Sequence, residues 1–152
     1  MAIEIGSFAN MQSMEVGVDG PQGANRLFIY TGTALFDFKG VSGDWRRDTV
    51  QFHVGRSFGP GEVIKAIGTG SLASICNEHH AVDAGWAIDD TDADWDDEDG
   101  RIQVRASVAV RDSDGHVLRM SYIVHVLAKL PVKQSTIAPI TGVTAAVSRK
   151  VD

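Results

Sequence analysis

The chain has 152 residues, 43% of them hydrophobic and 22% charged, with a formal net charge of −6. That length suffices for one domain, burying about 68–70% of the surface that the unfolded chain exposes. No apolar run approaches the roughly 20 residues of a membrane span, no basic stretch leads into an apolar one at Met1–Gly6, and no basic tract is present to neutralise phosphates. A membrane span, a secretory signal and a nucleic-acid partner are therefore not expected, and cytoplasmic residence is the default.

Sixteen glycines and short alternating apolar runs, with no ten residues of sustained helical period, predict an all-β fold. The expected architecture is an antiparallel β-sandwich or jelly roll of about eight or nine short strands in a single unit, residues 1–152. Residues 1–12 lack strong strand patterning and read as an extended arm. Strands are predicted at Ser13–Val18, Arg26–Thr31, Ala34–Lys39, Thr49–Val54, Glu62–Ile67, Leu72–Cys76 and Ala84–Ile88. Turn chemistry separates them at Asp19-Gly20-Pro21, Gly40 to Asp44, and Gly59-Pro60-Gly61. In Thr49–Val54, Val50, Phe52 and Val54 point one way while Gln51 and His53 point the other, the pattern of a half-buried strand. Gly68-Thr69-Gly70-Ser71-Leu72-Ala73 fits a dinucleotide-binding G-x-G-x-x-A, but Lys65 interrupts the strand before it and no crossover helix flanks it, so it reads as a flexible junction. Cys76 has no cysteine partner and reads as a small core residue. Trp86 is also expected in the core.

Asp89 to Asp99 holds eight carboxylates and no Lys or Arg, leaving the rest of the chain net positive. This segment reads as an acidic loop, closed by Gly100. The alternation of Asp90, Asp92, Asp94 and Asp96 has the oxygen-rich spacing that hard cations such as Ca²⁺ require. It is not an EF-hand: counting from Asp90, Trp95 stands where the sharp bend needs glycine, and Arg101 where a bidentate carboxylate is needed. Trp95 is expected to stack on a sugar, to anchor a partner, or to fold back over the sandwich.

Arg101–Asp112 and His116–Lys129 are predicted to form a long antiparallel C-terminal hairpin. A three-residue loop at Ser113-Asp114-Gly115 would pair Val110 with Leu118, Val108 with Met120, Ala106 with Tyr122, Val104 with Val124 and Ile102 with Val126. The other face would carry Arg101, Arg105, Arg111, Arg119 and His125. The tail, residues 131–152, reads as a second extended arm lying on this chain or on a neighbour, or loose.

With no GxSxG, Walker or HExxH signature present, the leading expectation is a non-enzymatic module that binds a protein partner or assembles with copies of itself. Its acidic loop would meet Arg101, Arg105 or Arg119 of another copy, with Trp95 and His125 among the contact residues. A second reading is a Ca²⁺-dependent carbohydrate-binding module with Asp90, Asp92, Asp94 and Asp96 as ligands. A third is a small enzyme using a metal or general base among His53, His79, His80, Asp83 and His125, which requires those side chains to converge.

Overall fold

The computed structural model describes residues 3–20, 23–41, 43–77, 85–111 and 115–129. Among these residues alternating burial builds seven strands: β1 (Ser7–Gly20), β2 (Gly23–Lys39), β3 (Trp45–Val54), β4 (Val63–Asn77), β5 (Gly85–Trp95), β6 (Ile102–Arg111) and β7 (Gly115–Ala128). They form two antiparallel sheets, one ordered β1-β2-β7-β4 and the other β3-β6-β5, which pack face to face as a β-sandwich. The all-β sandwich expected from the alternation is the fold observed.

Nine predicted stretches become seven strands, because β2 and β4 each join two of them. The glycines that interrupt the pattern are packing features rather than turns. A Cβ on Gly68 would lie 3.0 Å from the Ala93 Cβ, and one on Gly70 would lie 3.0 Å from Thr91 Oγ1. These glycines let β4 lie close against β5 and close one side of the sandwich, so the dinucleotide-like run is ladder and not a phosphate loop. Residues 7–12, read from sequence as arm, are the first part of β1, and ahead of them Ile3 donates its N–H to Thr49 O at 2.8 Å.

The predicted C-terminal hairpin pairing is overturned. β6 pairs with β3 and β5, β7 pairs with β2 and β4, and the two share no ladder. Ile102, Val104, Ala106, Val108 and Val110 enter the core from one sheet, and Met120, Tyr122, Val124 and Val126 enter it from the other. The apolar sets do meet, but across the interior instead of side by side. Alternation specifies which face of a strand is buried and is silent on whether the partner is a ladder neighbour or the opposite layer, about 10 Å away. Of the loop proposed to close the hairpin, Ser113-Asp114-Gly115, the first two residues lie outside the described residues and Gly115 is the first residue of β7.

Two further corrections follow from this topology. The single arginine-bearing face does not exist: Arg105 is on the outer surface of the β3-β6-β5 sheet, whereas Arg119 and His125 are exposed on the outer surface of the other. The acidic loop is largely strand. Ala93 is buried and Thr91 half-buried, while Asp90, Asp92 and Asp94 alternate outward along the edge strand β5, opposite Ser107, Arg105 and Gln103. Only residues 96–100 turn, with Gly100 at φ 73° and its N–H donating to Asp96 O at 2.9 Å. The spacing of carboxylates is thus strand alternation, and charge on an exposed edge discourages pairing with another chain. Trp86, expected in the core, is 49% exposed beside Gly85 near the start of β5.

Candidate functional site

The side of the sandwich between β1 and the end of β3 holds a cleft of about 610 Å³. Its floor is aromatic. Phe28 and Tyr30 from β2 stack with ring centroids 6.2 Å apart, and Phe8 from β1 and Tyr122 from β7 both pack on Phe52, at 5.4 and 4.9 Å. Two glycines make room for the tyrosines. A Cβ on Gly32 would come within 2.4 Å of the Tyr122 hydroxyl oxygen, and one on Gly55, at φ 72°, within 2.3 Å of Tyr30 Cζ. Any larger residue at either position would drive a ring out of place. At the mouth, Met11 and Met14 are 66% and 60% exposed, an apolar lip that no other described part of the chain covers.

Charge at the cleft comes from Arg56 and Arg101, and from Glu15, whose carboxylate is paired with Arg26. Arg101 donates from Nε to Gly55 O at 3.2 Å and Arg56 from Nε to Ser57 O at 3.0 Å, so both guanidinium stems are held by backbone. Among the described residues neither forms an ion pair with a carboxylate. Burial pushes the Tyr30 hydroxyl's pKa upward, opposed by a backbone hydrogen bond from Arg56 and by the Arg56 and Arg101 charges. Tyr122 is pushed the same way by burial alone. Both hydroxyls therefore stay protonated at neutral pH and can donate. An apolar floor with two fixed cations at its edge suits a small molecule with an apolar body and one anionic group.

A second cluster stands where the 96–100 turn meets β3. His53 Nε2 lies 2.8 Å from Asp96 Oδ2, and His53 Nδ1 lies 3.6 Å from Asp99 Oδ2. Gln103 Nε2 is 3.2 Å from the same Asp96 oxygen. Asp96 and Asp99 are presented by the backbone: Glu98 N–H donates to Asp96 Oδ1 at 3.0 Å and Arg101 N–H to Asp99 Oδ1 at 2.8 Å. The Glu98 hydrogen bond, with the contact to His53 second, holds the Asp96 carboxyl below the usual carboxylate range. His53 also lines the cleft, so the two sites adjoin.

The structure brings together few of the residues chosen from sequence. Asp96 belongs to the His53 cluster, whereas Asp90, Asp92 and Asp94 lie along β5 outside it. Trp95 folds back: its ring packs on the core and its indole N–H donates to Gly100 O at 3.0 Å and Phe58 O at 3.2 Å. Arg101 lines the cleft, and Arg105, Arg119 and His125 do not. His53 and His125 sit on opposite outer surfaces of the sandwich, so the proposed histidine centre cannot include both; His79, His80 and Asp83 lie outside the described residues. His116 is buried, with Nδ1 2.6 Å from Asp37 Oδ1 and Nε2 without a partner among the described residues. Tyr30, Tyr122, Gly32, Gly55 and Arg56 were missed. Nothing in their local sequence separates them from core and turn residues, because what joins them is the meeting of β2, β7 and the end of β3.

Comparison with protein-family profiles, with curated proteins and with solved structures yields no match to this chain.

Proposed function

We propose that this protein is a binding module whose cleft takes a small amphipathic anion, its apolar or aromatic body on Phe28, Tyr30 and Tyr122 and its anionic group at Arg101 and Arg56. The observation that carries this reading is the pairing of an aromatic floor with two guanidinium groups that have no carboxylate partner among the described residues. The cleft volume, about 610 Å³, lies in the range of small-molecule sites. Apolar burial would provide affinity and the cations orientation, since a charge-assisted hydrogen bond is worth about 1.5–3 kcal/mol.

The reading is tested by titrating the protein with 8-anilinonaphthalene-1-sulfonate, a fluorescent aromatic anion, and then displacing it. Saturable one-to-one binding is expected, competed by decanoate and not by decylammonium. Arg101→Gln should weaken it about tenfold, in keeping with the loss of one charged contact. Competition by decylammonium as strong as by decanoate, or an unchanged affinity in Arg101→Gln, would sink the assignment of the anionic end.

A further inference from the structure

We propose that His53, Asp96 and Asp99 hold a divalent cation of the first transition row, at a site that shares His53 with the cleft lining but does not rest on the proposed cleft ligand. One donor atom from each side chain can be chosen so that all three lie within 4.8 Å of one another. The donor set is what separates this place from the acids along β5. An imidazole nitrogen with two carboxylate oxygens is a borderline ligand field, suited to zinc and its neighbours, whereas calcium and magnesium prefer oxygen alone.

Asp96 is set in place before any ion arrives, and Asp99 is oriented toward His53 but not yet closed on the site. Each spends Oδ1 on a backbone N–H and turns Oδ2 toward His53. The 2.8 Å between His53 Nε2 and Asp96 Oδ2 is below the roughly 3.4 Å edge of a tetrahedral zinc site, so that pair needs to part by about 0.6 Å. Asp99 is 39% exposed in its side chain, on a turn, and has room to close toward the ion. The ring now stands between the two carboxylates, one facing each nitrogen. Gln103, 3.4 Å from His53 Nε2, is within reach of the same space.

The test is calorimetric titration of the intact protein with ZnCl₂ at neutral pH, with thermal melting in zinc and in EDTA beside it. One ion per chain is expected, with a melting temperature raised by zinc and restored by EDTA. His53→Ala and Asp99→Asn should each weaken zinc binding at least about tenfold, whereas Asp97→Asn, in the same turn but outside the cluster, should not. Asp99→Asn alters a partly exposed carboxylate and retains the fold, so it reports even if His53→Ala does not fold. The proposal is overturned if zinc gives no saturable heat, if Asp99→Asn binds it as tightly as the parent, or if calcium binds as well as zinc.

Discussion

Gly55 shows how one residue ties the backbone to the cleft. It combines a left-handed φ of 72° with a Tyr30 ring that occupies the space of a Cβ. Gly61 has φ 75° and open space around it, and so isolates the backbone effect. Gly61→Ala is expected to cost about 1 kcal/mol from strain alone, and Gly55→Ala a further 1–3 kcal/mol from overpacking, with loss of dye binding. Urea denaturation of the two variants reads the difference. At Asp96 the relevant quantity is pH. Its carboxyl is depressed below the ordinary 3.8, so its contribution to stability is complete above that value and is lost as the pH falls through the lower folded-state value. Asp96→Asn should therefore lower stability at neutral pH and flatten the acid limb of the melting-temperature profile below about pH 4.

Strand position sets the next level of behaviour. β2, β6 and β7 have ladder partners on both sides, while among the described residues β1, β3, β4 and β5 are edges. Backbone amides of β6 and β7 should show the slowest hydrogen exchange, since opening them requires breaking two ladders and the core that both strands bury. Faster exchange in β6 than in β3 would contradict the strand order. The edge strand β5 carries its acids outward and its Ala93 inward, so the feature most visible in the sequence as a charged loop is an element whose charge protects its free edge. Trp95 ends that strand by turning its indole N–H onto two carbonyls, which anchors the 96–100 turn beside His53.

The relation between β6 and β7 belongs to the whole molecule. In a hairpin Ser107 and Ser121 would face each other across one ladder. In the sandwich Ser107 lies opposite Thr49 and Asp90, and Ser121 opposite Thr33 and Ser71. With Cys76 replaced by serine, Thr33→Cys with Ser121→Cys should oxidise to an intramolecular disulfide, because directly opposed strand residues have Cα atoms about 4.5–5.5 Å apart. Ser107→Cys with Ser121→Cys should not. A disulfide from the second pair alone would restore the hairpin and remove the two-sheet arrangement.

The sequence by itself determined that this chain is β and, within stretches such as Thr49–Val54, which side is buried, though it divided β2 and β4, missed the start of β1 and read much of β5 as loop. Those properties are local: alternation in Thr49–Val54 or Arg101–Asp112 is written in neighbouring residues. It also marked the acids and Arg101 as charges in want of a role. Only the tertiary structure decided which strands pair, because a buried face is equally satisfied by a ladder neighbour or an opposing layer. The same step decided the sites. Tyr30 meets Gly55 and His53 meets Asp96 and Asp99 across separations of 25 to 46 residues, which no local pattern records. Conversely, packing in two sheets placed Arg105 and Arg119 on opposite surfaces, although a single hairpin would have set them on one face.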